Sequence, residues 1–364
     1  MNEKRIFLIF LILVALILGT AAIVSYVEDP GHIYTKSYET GIANILLSGQ
    51  NVANIENYDE RLLQKDLIQN DQRQVEVILL GSSRAMQINS GTINEIFKDQ
   101  IFLNHGVSGA SIEDYIAILD LYLEKNALPS TIIFGVDPWI LNSHNYQGRW
   151  KSLSTEYENG VEYIYANSIV KNQDSNGIYT NIDPYLSLIS RPIIIKSLQQ
   201  LFSHQERGEY FPTELEELDV AIKLKDGTIS YPASSKNKTV EEINSGAIEY
   251  ANREPIYSLG HFTKIDEQSK SLFESTIHYL QNRNTTIVLF LPPYHPIVYD
   301  KLTTDPQYSM VNEVESYFRE FALSENITVI GSYDPNLLNL ASADFYDGMH
   351  PTREAIDKIL LESW

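Results

Sequence analysis

The first strong feature of the hydrophobic pattern is at the start of the chain. Lys4 and Arg5 precede an uncharged, mainly apolar run from Ile6 to Val24. Ser25, Tyr26 and Val27 extend the run before Glu28, Asp29 and Pro30 end it. A helix of about 20 apolar residues spans a bilayer core, whereas the apolar stretch of a signal peptide is usually only ~7–15 residues long. The pattern therefore predicts a transmembrane helix at 6–27, with residues 1–5 in the cytoplasm. A cleaved signal peptide, with Thr20-Ala21-Ala22 as the cleavage site, is the alternative. Basic residues before the run and acidic ones after it place the remainder outside the cytoplasm, in a single-pass cell-membrane protein. No second run has the length and apolarity to span.

Beyond the helix, residues 28–73 are polar and mixed, and predict a stalk followed by a helix around Glu60–Asn70. The period then changes. Val75–Leu80 is a short, β-branched-rich run that stops at Gly81, as buried parallel strands do, and Ile101–Asn104 and Thr131–Val136 are further short strand-like runs that stop at turn residues. Between the last two, Ser111 with Asp114 three residues on forms a capping pattern. It opens a helix that carries Ile112, Tyr115, Ile116, Leu119 and Leu123 on one face. From Trp150 to about Gly260 the rhythm breaks into a Tyr-, Asn- and Ser-rich insertion with a hairpin signal at Asp226-Gly227. It resumes with a helix near Glu267–Asn282, a strand at Thr286–Leu291, a helix near Val311–Ala322, a strand at Ile327–Ile330 and a last helix after Pro351. This alternation predicts a three-layer α/β/α domain over residues 74–364, with a parallel sheet of about five strands and an insertion at 150–260.

Composition narrows the classes. An apolar fraction of 43% with 11% aromatics supports a folded core. With 48 acidic against 27 basic residues the formal charge is -21, which repels phosphate backbones, so no nucleic-acid partner is expected. With no cysteine there is no disulfide, thiol nucleophile or thiolate metal site. His144 and His204 lack partners at ligand spacing, so neither a metal nor another cofactor is expected.

Ligands of open parallel sheets bind beyond the carboxyl ends of the strands. The loops there are Gly81–Arg84, His105–Ala110, Asp137–Trp139, Pro292–His295 and Asp344–His350. The first offers Ser83 on a tight strand-to-helix turn, where its hydroxyl is exposed; Ser82 and Ser83 also fit simple helix caps. The last offers Asp347 three residues before His350. That spacing lets the carboxylate hold Nδ1–H and leaves Nε2 free to take a proton from a hydroxyl; a helix-capping Asp beside a surface His reads equally from the spacing alone.

Together these blocks resemble the SGNH (GDSL-like) hydrolases. Gly81-Ser82-Ser83 is similar to their nucleophile block, with Ser82 where Asp is usual. Asn104-His105-Gly106-Val107-Ser108-Gly109 is similar to the second block, and Asp347-x-x-His350 to the C-terminal one. The resemblance, over roughly 75–140 and 285–362, implies a flavodoxin-like fold. It also implies Ser83 as nucleophile, His350 as general base and then acid, and Asp347 as its orienting partner. Ser83 and Gly109 would supply the oxyanion N–H groups.

Gly-Ser-Ser-Arg behind an anchor looks most like the cell-envelope branch, which includes the teichoic-acid D-alanylation protein and the alginate and peptidoglycan O-acetylation proteins. That branch implies an envelope polysaccharide or teichoic-acid-like polymer as substrate and a membrane-bound O-acyltransferase as neighbour. Two positions depart. Asp137 stands where the family carries an oxyanion-donating Asn, so it should be turned away, protonated or bound to another group. Arg84 reads as an anion-binding group or as half of a salt bridge. Arg84, Asp137, Trp139 and His295 are the candidate substrate-binding residues, while His105 reads as a loop brace. Two functions are carried: an acyl-esterase or acyltransferase acting on that polymer, and a non-catalytic SGNH-shaped partner or glycan-binding module of the acyltransferase.

Overall fold

The computed structural model describes residues 3–29, 37–166, 188, 194–195, 197–198, 201 and 209–363. His204 therefore lies outside the described residues. The N-terminal helix runs Glu3–Glu28; its most apolar 18-residue window has a mean hydropathy of 3.1 with none of it buried, so it is long and apolar enough to cross a membrane.

The main sheet contains β2 (Val77–Leu80), β3 (Phe102–Asn104), β4 (Thr131–Gly135), β8 (Thr286–Leu291) and β9 (Thr328–Gly331), in the order β3-β2-β4-β8-β9. Every pairing is parallel. The strands alternate their side chains between two apolar layers, as a period of two dictates. Ile78, Leu80, Ile132, Phe134, Leu289 and Leu291 pack with the helices Ile112–Glu124, Glu267–Gln281 and Met310–Ser324. Val77, Leu79, Ile133, Val288, Phe290 and Ile330 face the helix Arg353–Ser363. Each fully buried side chain of this size contributes about 1.5–3 kcal/mol over its exposed state, and these two layers hold the sheet. The order reverses at β2/β4, the switch point where open parallel sheets bind ligands.

The segment expected to be a stalk is folded from residue 38 on, which corrects that reading. The helices Tyr38–Leu47 and Glu60–Asn70 bury Ile42, Leu46, Leu63 and Leu67. Between them β1 (Asn51–Ala53) joins a second, antiparallel sheet, in the order β5-β1-β6-β7, with three strands from the insertion: β5 (Phe211–Thr213), β6 (Ile222–Lys223) and β7 (Ile229–Ser230). The β6–β7 hairpin turns at Asp226-Gly227, where Gly227 has φ +85° and a Cβ would lie 2.2 Å from the Asn104 carbonyl oxygen. The Asn104 N–H donates to the Asp226 carbonyl (2.7 Å) and the Ile229 N–H to that of Met86 (3.1 Å). The β6–β7 hairpin of the insertion is thus built onto the carboxyl ends of β2 and β3.

Candidate active site

The chain leaves β2 through Gly81 and turns at once into a short 3-10 helix, Ser83–Ala85. A Cβ on either Gly81 or Gly135 would lie 3.0 Å from the Ala85 methyl, so these glycines let the turn settle onto the switch point. Ser82 is fully buried and its hydroxyl accepts the Arg84 N–H at 3.2 Å. Ser82 therefore caps the turn, and the Ser83 hydroxyl stays free of that task.

The structure brings Ser83 to the C-terminal loop, 267 positions away, with Oγ 2.9 Å from His350 Nε2. His350 Nδ1 lies 2.9 Å from Asp347 Oδ2 and 3.0 Å from Oδ1. The carboxylate accepts Nδ1–H, which leaves Nε2 as acceptor for the Ser83 hydroxyl; this network assigns the tautomer. Asp347 Oδ1 also accepts the N–H of Met349 (2.7 Å) and of His350 (2.9 Å). Burial opposes the Asp347 charge, but His350 and these N–H groups outweigh it and hold the carboxyl well below the usual carboxylate range. A Cβ on Gly348 would press on Tyr250 and Val298 at 3.0 Å, which accounts for the glycine within the Asp…His turn. The His350 side chain keeps 24% of its surface exposed, so the site is open to solvent.

The second loop runs beside the nucleophile turn. The Val107 N–H donates to the Gly81 carbonyl at 2.9 Å, and a Cβ on Gly106 would sit 3.5 Å from the Ser82 carbonyl oxygen. Gly109 has φ +59°, and a Cβ there would strike the Tyr257 hydroxyl at 2.3 Å and Gln147 Oε1 at 2.6 Å, so only glycine fits. Among the described residues, neither the Ser83 nor the Gly109 N–H donates to another protein group.

The four candidate substrate-binding residues do not reach solvent, which corrects that reading. Arg84 is 1% exposed, Asp137 0%, Trp139 1% and His295 0%. Arg84 donates to Asp137 Oδ1 (2.6 Å), the Pro292 carbonyl (2.6 Å) and the Met349 carbonyl (3.3 Å), with Cζ 3.7 Å from the Tyr294 ring centre. The reason is that an arginine next to a buried serine needs an internal counter-charge, and Asp137 supplies it. Asp137 is thereby bound to another group. Trp139 Nε1–H donates to the Ala110 carbonyl at 2.9 Å, bracing the second loop. His295 caps the helix Pro296–Thr304 by accepting the Ile297 N–H, and burial pulls its imidazole down to about 4. His105 bridges Gln64 Oε1 and the Tyr122 hydroxyl, each at 2.6 Å, with burial pulling it down to about 3.

Sequence reasoning missed Tyr231, whose ring meets His350 edge-on at 6.1 Å and Tyr346 at 5.2 Å. It also missed Glu60 and Arg61, which reach the second loop from a helix outside every recognised block. No motif marks these three residues. Beyond Tyr346 a cavity of about 760 Å³ opens between the insertion and the C-terminal loop, lined by Gln87, Ser230, Lys236, Arg353 and Asp357 among others. Among the described residues no group of three or more His, Asp or Glu is arranged to hold a metal.

A family model described as "Protein of unknown function (DUF1574)" matches residues 35–357. No curated protein matches the sequence. A solved structure described as a "putative acylhydrolase" from Bacteroides fragilis NCTC 9343 is 10% identical. It covers 80% of this chain and 85% of its own, with a TM-score of 0.33. At that distance the likeness carries no argument.

Proposed function

The chain belongs to the DUF1574 family, and from the geometry of its site we propose that it is a membrane-anchored, extracytoplasmic serine acyl-esterase or acyltransferase. The observation that carries this reading is the hydrogen-bonded series Ser83–His350–Asp347 at 2.9 Å per link. Ser83 Oγ attacks an acyl carbonyl while its proton passes to His350 Nε2. The carbonyl oxygen takes up the negative charge and is met by the N–H groups of Ser83 and Gly109. The intermediate then collapses: the bond to the alkoxy group breaks, the leaving oxygen takes the proton from His350, and the acyl group stays on Ser83. A second hydroxyl, from a polymer or from water, reverses these steps. Asp347 remains a carboxylate throughout, holding the imidazole's orientation and balancing its charge.

The resemblance of Gly81-Ser82-Ser83-Arg84 and Asp347-x-x-His350 to the cell-envelope branch supports a finer reading. The acyl group is acetyl or D-alanyl, the acceptor is an envelope polysaccharide or teichoic-acid-like polymer, and a membrane-bound O-acyltransferase works alongside. The apolar N-terminal helix supports a site held beside the membrane.

A fluorophosphonate probe applied to the full chain in detergent tests the catalytic claim. Labelling that is lost in Ser83→Ala and strongly reduced in His350→Ala is expected. One observation favours the second function, a non-catalytic docking or glycan-binding module: Asp137 is locked to Arg84, so the third block offers no side-chain oxyanion donor. Absence of labelling in the wild type would replace the catalytic reading with this one.

A further inference from the structure

The segment before β2 reaches directly into the second loop. Helix Glu60–Asn70 begins with two charged residues that grip Ser108 from both sides of its peptide group. Glu60 Oε2 accepts the Ser108 N–H at 2.5 Å, and Oε1 accepts the Ser108 hydroxyl at 2.8 Å. Arg61 is 2% exposed and bidentate to Asp114, with Nε to Oδ1 at 2.8 Å and Nη2 to Oδ2 at 3.0 Å. Its Nη2 also donates to the Ser108 carbonyl oxygen at 3.0 Å. A second guanidinium reaches the same oxygen: Arg149 Nη1 donates to it at 3.2 Å from the exposed side.

The Ser108 carbonyl and the Gly109 N–H belong to one peptide unit. Two cationic donors on the oxygen draw charge through the amide and strengthen its N–H as a donor, because hydrogen bonds in series polarise one another. They also fix the plane of the unit, so the N–H direction is set before any substrate arrives. Asp114 holds Arg61 rigidly, and its Oδ2 accepts the Ser111 N–H at 2.9 Å, tying the clamp to the helix that follows the loop.

We propose that Arg61 and Arg149 are positioning residues that orient and polarise the Ser108–Gly109 peptide as an oxyanion donor. This inference rests on the catalytic reading of Ser83 and adds to it a role for chain outside the recognised blocks. It also assigns Arg149, on the insertion side, a part in the chemistry without contact to substrate.

The test uses the full chain in detergent, with turnover of a small aryl ester and the rate of Ser83 labelling by a fluorophosphonate. Arg149 is exposed, so Arg149→Ala should fold with an unchanged melting temperature. It is expected to lower kcat and the labelling rate by about 3- to 10-fold with KM unchanged, the pattern of an interaction made in the transition state. Arg149→Lys should recover most of the loss. Because an exposed charge is screened by salt, added salt should slow the wild type and leave Arg149→Ala nearly unaffected, a response that a bracing role alone would not give. Arg61→Lys, which keeps a cation beside the buried Asp114 but not the bidentate fork, should lower both rates further than Arg149→Ala does. A wild type that labels, together with an Arg149→Ala variant that labels equally fast at low salt, would overturn this inference and leave the catalytic reading standing. A wild type that does not label overturns both.

Discussion

Arg84 and Asp137 form an ion pair with no exposed surface on either side chain, at 2.6 Å. Replacing Arg84 by methionine leaves the Asp137 carboxylate buried without its cation and removes the donor to the Pro292 carbonyl. Stranding one member of a buried pair costs about 3–5 kcal/mol. Asp137→Leu strands the guanidinium and should cost a similar amount. The double variant, apolar at both sites with comparable volume, should cost only about 0–2 kcal/mol. The costs then fall short of additivity by several kcal/mol, the signature of a directly coupled pair. Urea unfolding of the full chain in detergent, followed by tryptophan fluorescence, measures all three; Trp139 is a local reporter, with Arg84 Cζ 6.0 Å from its ring centre. The unfolding slope should stay constant across the set. An Arg84→Met variant that loses less than ~1 kcal/mol, or single costs that simply add, would refute the argument.

Other outcomes follow from individual contacts. Asp347→Asn keeps the shape of the turn but no longer enforces the imidazole tautomer, so kcat for an aryl ester should fall about 10³- to 10⁴-fold with little change in melting temperature. Asp120 is buried, and burial, aided by Glu124 and Glu156 and only partly offset by Asn159, pushes it up to about 7. Its unfolded value is near 3.9, so the folded state holds the extra proton between those values. Stability should therefore decline as pH rises from about 4 to 7, with the full penalty present above 7. Asp120→Asn should abolish that decline and gain on the order of 2–4 kcal/mol at pH 8 in urea unfolding. Gly227→Ala forces a methyl into the Asn104 carbonyl from a positive-φ residue, and should cost roughly 2–4 kcal/mol in the same assay. Removing residues 1–29 should move the expressed protein from the membrane fraction to the soluble one, as judged by fractionation and blotting.

The sheet was legible because each parallel strand lies in a short, mainly apolar run that ends at turn residues, and Asp114 accepts the Ser111 N–H at 2.9 Å at the helix start, as the spacing of that pair predicts. The meeting of Ser83 with His350 was legible through the order and strand context of two blocks. What escaped was whatever depends on a distant partner. β1 has only three residues, and its strand partners lie in the insertion, so no local pattern separates it from a linker. Arg84, Asp137, Trp139 and His295 sit on carboxyl-end loops, and that position made them candidates for substrate contact, although a salt bridge at Arg84 and a bound Asp137 were also open from the sequence. The loops fold over these side chains because Arg84 finds a counter-charge below the surface. Glu60 and Arg61 carried no signal either, since a charged pair at a helix start ordinarily faces water.

The pairing of β1 with strands at 211–213 and 222–223 has a consequence for the life history of the chain. A growing polypeptide offers residues 51–53 long before their partners exist, so this segment waits unpaired until residues 211–213 and 222–223 have been made. Pairings across such separations are slow to form and expose strand edges meanwhile. Because Ile229 then docks on Met86 beside the Ser83 turn, the nucleophile's surroundings are assembled in stages, first by the insertion and last by the His350 loop, well after the apolar N-terminal helix has left the ribosome.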